Sequence, residues 1–169
     1  MTKIPLKIGI TGSIGMGKTT IAQEIGKYNF PVWNSDEVVH FLYKKGNQGY
    51  NKIKKIVPEA ALNNEIDRLI LSKSILENSD VLNDIQKFVY PLVEIERTKF
   101  IKANMDKKII VFDIPLLFET DCDKWLDVVI VATAPISVQK QRVLSRNSMT
   151  EKKFQYLLSR QIESSEKIR

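Results

Sequence analysis

The chain has little of several residues that mark common classes of protein. It contains one cysteine and one histidine among 169 residues. A single cysteine cannot form a disulfide within the chain or supply a cysteine-based zinc site, and an unpaired cysteine fits the reducing cytosol. We therefore expect a cytoplasmic protein whose fold depends on its hydrophobic core.

Long apolar runs and low-complexity tracts are also missing. No stretch reaches the roughly 18 apolar residues that a membrane-spanning helix requires, and the residues up to Lys7 do not have the pattern of a secretory signal peptide. Hydrophobic residues make up 43% of the chain, which is enough for one core in a chain too short for two ordinary domains. We predict a single domain over residues 1–169 and no membrane partner.

The excess of positive charge is modest. Lysine and arginine number 26 against 20 acidic residues, so the formal net charge is +6. The one basic cluster, at residues 44–55, is interpreted as a solvated helix face. A weak positive field suits an enzyme that binds phosphates, so we expect no nucleic-acid partner, although a non-catalytic ATP- or RNA-binding regulator remains an alternative.

Short apolar segments alternate with helical patterns along the chain. Strands are predicted at residues 4–10, 30–33, 109–113 and 126–132, with helices after the first strand, from Pro135 and from Thr150. Residues 36–104 are predicted to be largely helical, with a loop at 46–49 and a kink or break at Pro91. This alternation predicts a three-layer α/β fold with a mainly parallel central sheet.

A glycine-rich sequence between the first strand and the first helix matches G-x-x-x-x-G-K-[ST] in full. In this pattern the glycines let backbone N–H groups surround phosphate oxygens at the N-terminus of the next helix. Lys18 would reach the β- and γ-phosphates of ATP, and the Thr19 hydroxyl would bind Mg²⁺. A glycine-rich turn without a ligand is the alternative. The predicted nucleotide-binding residues are Gly12, Ser13, Ile14, Gly15, Met16, Gly17, Lys18, Thr19 and Thr20.

The motifs that GTP-binding proteins require are absent. Asp113 is followed by Ile114 and Pro115 rather than by the expected x-x-Gly, and no Asn-Lys-x-Asp occurs. The chain is also too short for the larger motor and transporter ATPases. Small-molecule kinases therefore remain as the natural class.

Further sequence blocks make the class more specific. The segment at residues 10–20 resembles the opening of dephospho-coenzyme A kinases, and other blocks follow in that family's order. Asn34-Ser35-Asp36 is similar to its Asp-x-Asp and Ile66-Asp67-Arg68 to its Leu-Asp-Arg. Pro-Leu-Leu-Phe-Glu recurs at residues 115–119. The last matches are to the family's Gln-x-x-Arg-x-x-x-Arg and lid-helix glutamine, at Gln139, Arg142, Arg146 and Gln161.

The resemblance implies ATP-dependent phosphorylation of the ribose 3′-hydroxyl of dephospho-coenzyme A. It implies a helical substrate region at about 36–104 and a lid at about 142–165. It also makes Asp36 the candidate base, with a helix N-cap as the alternative. Arg68 and Glu119 are candidate substrate contacts by resemblance alone. Another small-molecule kinase, acting on a nucleoside or nucleotide, remains open.

Three more residues are candidates for phosphate or metal contacts. Asp113 ends a strand near the predicted loop, where a carboxylate can hold a water molecule of the Mg²⁺ shell, or else cap the turn before Pro115. Arg142 and Arg146 lie four residues apart on one predicted helix, so both could clamp phosphates from one face. A salt-bridged, exposed helix face is the alternative.

The chain departs from the family pattern at three places. Asn34 replaces the first aspartate of Asp-x-Asp, so Asp36 must act as base alone, and Tyr90 stands where the family has histidine before Pro91. Family members also continue beyond the position of Arg169 into another strand and helix. The resemblance thus leaves open whether the last strand of the sheet is missing, and the sequence does not indicate an oligomeric state.

Overall fold

The computed structural model describes residues 4–147 and 149–168, which divide into two compact units. One unit contains the chain up to Asn34 and from Asn104 onward, and the other spans Ser35–Ala103. The first three residues of the segment examined for a signal peptide lie outside the described residues. One domain can contain two compact units, so the single domain stays a prediction.

The strands and α-helices of the described residues are interspersed along the chain. In chain order they are β1 (Leu6–Thr11), α1 (Lys18–Gly26), β2 (Val32–Asn34), α2 (Ser35–Leu42), α3 (Gln48–Ile56), β3 (Ala61–Leu62), β4 (Glu65–Ile66), α4 (Arg68–Glu77), α5 (Ser79–Ala103), β5 (Ile109–Asp113), β6 (Val128–Val131), α6 (Ile136–Leu144), α7 (Glu151–Ser159) and α8 (Ser164–Lys167). Across these residues, no helix combines the length and apolar character needed to cross a membrane.

The central sheet has four parallel strands in the order β2-β5-β1-β6. Its register pairs Ile10 with Asp113 and Asp113 with Asn34. The carboxyl ends of three strands therefore meet at one edge. In open parallel sheets this edge is where ligands bind.

The strands are as apolar as a sheet covered on both faces requires. Ile10 and the three central residues of β5, Ile110, Val111 and Phe112, are fully buried. Consecutive buried residues show that both faces of β5 are covered, because successive side chains point to opposite faces. The predicted parallel α/β sheet is thus confirmed.

Both tryptophans of the chain pack against Phe112. The ring centroid of Trp33 lies 5.9 Å from that of Phe112. The ring of Trp125 meets Phe112 edge-on, with centroids 4.9 Å apart and an interplanar angle of 85°. Edge-to-face contacts of this kind are favourable for aromatic pairs. Trp33 is buried, whereas Trp125 is partly exposed.

The second unit is a helical cluster with its own core. Helices α2 to α5 surround buried residues that include Leu42, Tyr43, Tyr50, Ile53, Val57, Ile66, Leu71, Ile85 and Val89. This unit occupies the part of the chain predicted to be helical. Its role in substrate binding stays a prediction.

Three local details differ from the prediction. Residues 61–66 form a hairpin rather than helix, and Asn63 and Asn64 supply its turn with φ angles of 48° and 67°, which asparagine tolerates better than most residues. The loop predicted at 46–49 lies at 43–47 instead, because α2 ends at Leu42 and α3 already begins at Gln48. Helix α5 runs through Pro91 without the break that was one predicted outcome.

The core of the helical unit can be tested at Ile53, which is fully buried. We expect Ile53→Ala to lower the free energy of unfolding by about 2–5 kcal/mol, since it removes buried methyl groups and leaves a cavity. Urea denaturation measures the change. The neighbouring, exposed Lys54→Ala should shift stability by less than about 0.5 kcal/mol, and equal effects of the two substitutions would contradict the assigned core.

Candidate active site

The phosphate loop, residues 12–19, follows directly from β1. A hydrogen bond from the Met16 N–H to the Ser13 carbonyl, at 3.1 Å, closes a turn in its middle. Gly15 and Gly17 have φ angles of 79° and 93°, which side chains with a Cβ rarely adopt. A Cβ on Gly15 would also lie 2.5 Å from Cγ2 of Val143. The loop therefore requires glycine for both its backbone shape and its packing.

Helix α1 begins immediately after Gly17 and presents its N-terminus to the loop. No side chain among the described residues caps this helix end. Its first N–H groups are therefore available to an anion, and the helix dipole adds partial positive charge at the same place. Thr19 and Thr20 lie in this first turn and are exposed.

Lys18 forms a buried ion pair with Asp113 at the sheet edge. Its Nζ contacts Oδ1 of Asp113, and the two side chains are 13% and 1% exposed. The other carboxylate oxygen, Oδ2, accepts a hydrogen bond of 3.0 Å from the Asn34 amide. The loop lysine and the ends of β2 and β5 thus converge on one carboxylate.

Two glutamine side chains hold the backbone of Ile14 within the loop. The Gln139 amide donates to the Ile14 carbonyl at 2.8 Å, and the Ile14 N–H donates to Oε1 of Gln161 at 3.1 Å. Gln139 is buried on α6, whereas Gln161 follows α7. The loop is therefore tied to two later parts of the chain.

The residues that follow α7 are anchored by Glu119. Its Oε1 accepts a 2.9 Å hydrogen bond from the Ile162 N–H and lies 2.9 Å from Nζ of Lys167, whose side chain is fully buried. Burial raises the pKa of the Glu119 carboxyl, but the Lys167 ammonium and the hydrogen bond from Ile162 outweigh this effect and leave the pKa below its ordinary value. Glu119 is therefore held as a carboxylate, with Oε1 occupied by groups of the protein.

A cavity of about 530 Å³ lies beside the phosphate loop. It is bordered by the loop, the start of α6, the end of α7 and the residues that follow α7. Its lining combines apolar side chains with amides and hydroxyls, which is typical of small-molecule sites. These lining residues include Ser13, Met16, Ile136, Gln139, Leu158, Gln161 and Ser164.

The structure separates the two predicted arginines. Arg142 lies on α6, and its Nη1 is 3.5 Å from the Gly15 carbonyl. Arg146 lies beyond the end of α6, so the prediction of one shared helix is wrong. The Ser145 hydroxyl bonds to the Arg142 carbonyl, and the Arg146 N–H turns to the Val143 carbonyl instead. A serine that takes a helical carbonyl in this way competes with the next turn of helix.

The remaining candidates, Asp36 and Arg68, belong to the helical unit. Asp36 is exposed in the first turn of α2, which begins one residue earlier at Ser35, so it does not precede the helix as an N-cap would. Arg68 is the exposed first residue of α4, whose N-cap is Asp67 with hydrogen bonds to the N–H groups of Leu69 and Ile70. Their proposed roles stay predictions.

Comparison with known proteins decides the family. A family model described as dephospho-CoA kinase matches residues 6–169. The chain belongs to the dephospho-CoA kinase family. This confirms the resemblance drawn from the sequence blocks and makes the chain a member of a family of phosphotransferases that use ATP as donor.

Individual dephospho-CoA kinases support the assignment. The enzyme of Bartonella quintana is 38% identical over 162 residues, which are 95% of this chain and 83% of that protein. The enzyme of Agrobacterium fabrum is 40% identical over 162 residues, or 95% of this chain and 82% of that protein. The similarity thus extends over nearly all of this chain and about four-fifths of each relative.

Solved structures confirm the fold. The crystal structure of TT1252 from Thermus thermophilus has a TM-score of 0.85 and 25% sequence identity, covering 98% of this chain and 85% of that one. Dephospho-CoA kinase from Campylobacter jejuni has a TM-score of 0.61 and 21% identity, covering 98% and 84%. The prediction of a three-layer α/β fold is therefore confirmed.

The contacts of some residues in and around the site could not be predicted from the sequence. Gln139 and Gln161 matched the dephospho-CoA kinase pattern, but nothing in the sequence indicated that both bind Ile14. The burial of Lys167 had no signal at all, because a lysine in a polar segment is normally exposed. Of the two departures in side chain, Asn34 bonds to Asp113, whereas Tyr90 is exposed and accepts a hydrogen bond from Gln86 in the helical unit.

The Glu119 anchor gives a pH-dependent prediction. Because its folded pKa is depressed, the anchor adds stability above the ordinary value of 4.5 and loses it as the pH falls through the lower, folded value. Glu119→Gln should therefore cost about 3 kcal/mol near neutral pH, since it leaves Lys167 buried without its partner. The gap to the wild type should close in acid.

Urea denaturation between about pH 3 and pH 7 measures this gap. The matched control is Glu166→Gln, which changes an exposed carboxylate in the same part of the chain. A stability difference between Glu119→Gln and wild type that stays constant over the whole range would contradict the assigned anchor.

Proposed function

We propose that this chain transfers the γ-phosphoryl group of ATP to the ribose 3′-hydroxyl of dephospho-coenzyme A, giving coenzyme A and ADP. The observation that carries the proposal is the phosphate loop with Lys18 and Asp113 at its base, in a chain that matches the dephospho-CoA kinase family over residues 6–169. The proposed partner is this small molecule alone, not nucleic acid or a membrane. The single cysteine supports a cytoplasmic location.

The loop and the start of α1 would bind the triphosphate. Backbone N–H groups of residues 12–20 would surround the phosphate oxygens, and Lys18 would move its ammonium from Asp113 toward the β- and γ-phosphates. The cavity beside the loop would hold the adenine between apolar side chains. Arg142, already close to the Gly15 carbonyl, and Arg146 would supply further positive charge to the transferring group.

The donor set near Lys18 fits Mg²⁺. The Thr19 hydroxyl offers a hard oxygen ligand, which this ion prefers, and the Asp113 carboxylate can hold a water molecule of its shell. The described residues contain no cluster of three or more His, Cys, Asp or Glu side chains that could hold a metal by themselves. This agrees with a site completed by phosphate oxygens and water. When bound, the ion would neutralise charge on the β- and γ-phosphates.

The transfer itself requires little chemistry from the side chains. The bond between O3′ and the γ-phosphorus forms while the bond from that phosphorus to the oxygen of ADP breaks, and the hydroxyl proton passes to Asp36. Arg68 and Glu119 are proposed substrate contacts by family resemblance. For Glu119, Oε1 already accepts from Ile162, whereas Oε2 is buried and has no hydrogen-bond partner among the described residues.

The direct test is transfer of labelled γ-phosphate from ATP to dephospho-coenzyme A with Mg²⁺, followed by identification of the product. A panel of nucleosides and nucleotides tests the other small-molecule kinases. No turnover of dephospho-coenzyme A, with turnover of a panel member, would refute the proposal. Steeply salt-dependent retention of RNA without kinase activity would indicate a regulator instead.

Lys18→Ala should reduce both turnover and nucleotide binding. We expect kcat to fall roughly 100-fold or more, as for loss of one group that stabilises developing charge, and ATP to bind about tenfold more weakly. Steady-state kinetics and calorimetry measure the two effects. The exposed Lys27→Ala is the control, thermal unfolding monitors the loss of the Asp113 ion pair, and unchanged turnover would remove Lys18 from the mechanism.

Asp36→Asn separates the catalytic interpretation from a structural one. A base should lose about 10²- to 10⁴-fold in kcat while the Kd for ATP stays within about twofold. The neighbouring Glu37→Gln, also exposed in the first turn of α2, is the matched control. Parallel losses of turnover and ATP affinity in Asp36→Asn would assign the residue to the support of α2.

A further inference from the structure

The backbone of Ile14 in the phosphate loop is bound by two glutamine side chains. Its carbonyl accepts from Gln139 at 2.8 Å, and its N–H donates to Gln161 at 3.1 Å. A backbone N–H can only donate and a carbonyl can only accept. The loop therefore dictates that Gln139 presents its NH₂ group and Gln161 its oxygen.

These two hydrogen bonds hold a part of the loop in which glycines make the backbone intrinsically flexible. Gly15 follows Ile14 directly, and Gly17 lies two residues further on, both with positive φ. Glycine has the widest conformational freedom of any residue, so its ordering costs the most entropy. A loop of this composition gains most from ties to rigid neighbours, because a preorganised site does not have to be ordered by its ligand.

The tie through Gln161 has an anchor of its own. The next residue, Ile162, donates its N–H to Glu119, and the fully buried Lys167 pairs with the same carboxylate oxygen. A second contact joins the segment to the loop, since the hydroxyls of Ser13 and Ser164 lie 3.4 Å apart. Gln161 is thus held in place by bonds that do not involve the loop backbone.

We propose that Gln139 and Gln161 are positioning residues of opposite hydrogen-bonding polarity, which fix the Ile14 peptide and so hold the loop ready for the triphosphate. The inference rests on the proposed function, since it concerns ATP binding at the same loop. Neither glutamine takes part in the transfer step. Their loss should weaken the binding of ATP and leave the acceptor hydroxyl and its base unaffected.

Because the two glutamines have opposite hydrogen-bonding roles, their variants should show a pattern of effects that general destabilisation would not produce. Gln161→Glu keeps an acceptor for the Ile14 N–H, whereas Gln161→Leu removes it. We expect the KM for ATP to rise about three- to tenfold in Gln161→Leu, as for the loss of one hydrogen bond of ordinary net strength, and to rise less in Gln161→Glu. The KM for dephospho-coenzyme A should stay within about twofold in both.

At Gln139 the order should be reversed. Gln139→Glu places a carboxylate against the Ile14 carbonyl at a buried position, so ATP binding should weaken more than in Gln139→Met, which only removes the donor. The neighbouring, exposed Gln141→Glu on the same helix is the control for charge on α6. Gln155→Glu adds the same charge to the wall of the cavity and measures the effect of charge alone on the Gln161 variant.

Calorimetric titration of the full chain with ATP and Mg²⁺, steady-state kinetics and thermal unfolding are recorded for every variant. A KM for ATP in Gln161→Leu equal to that of wild type, or a Gln161→Glu no better than Gln161→Leu after correction for charge, overturns the inference alone. A wild-type chain that binds no ATP overturns the proposed function as well. If Gln139→Glu does not fold, the two Gln161 variants decide the outcome.

Discussion

The arrangement of this site depends on one buried carboxylate. Asp113 is 1% exposed, and an uncompensated charge at such a position would be very costly. Lys18 provides the opposite charge and the Asn34 amide satisfies the other oxygen. In the family pattern that the sequence resembles, aspartate stands at the position of Asn34, and an aspartate here would set a second negative charge against Asp113. In this chain the neutral Asn34 amide donates a hydrogen bond to Asp113 instead, but it cannot act as a base.

Much of this arrangement could be predicted from local sequence. The strand before the loop, the glycines with Lys18, and the apolar run that ends at Asp113 are each patterns of a few consecutive residues with one physical reason. A parallel sheet brings the ends of such strands to the same edge, so the proximity of Asp113 to the loop follows from its topology. The predicted start of a helix at Thr150 is equally local, and the Thr150 hydroxyl caps this helix by accepting a hydrogen bond from the Lys153 N–H.

The features that escaped prediction depend on contacts between distant residues or on competition within a turn. Lys167 and Glu119 are far apart in the sequence, and no sequence pattern around either residue predicts a buried ion pair. The end of α6 before Arg146 coincides with a hydrogen bond from the Ser145 hydroxyl to the Arg142 carbonyl, which no periodicity reveals. The hairpin turn at Asn63 was hidden by helical patterns on both sides. Sequence patterns therefore predicted the main strands and helices, but neither the hairpin nor the exact ends of the helices.

The aromatic contacts beneath the site have a practical consequence. Trp33 and Trp125 are the only tryptophans in the chain, and both touch Phe112, the residue just before Asp113. Any shift of this strand end reaches both indole rings through a single phenyl group. The intrinsic fluorescence of the protein should therefore respond to changes at this strand end, without an attached dye.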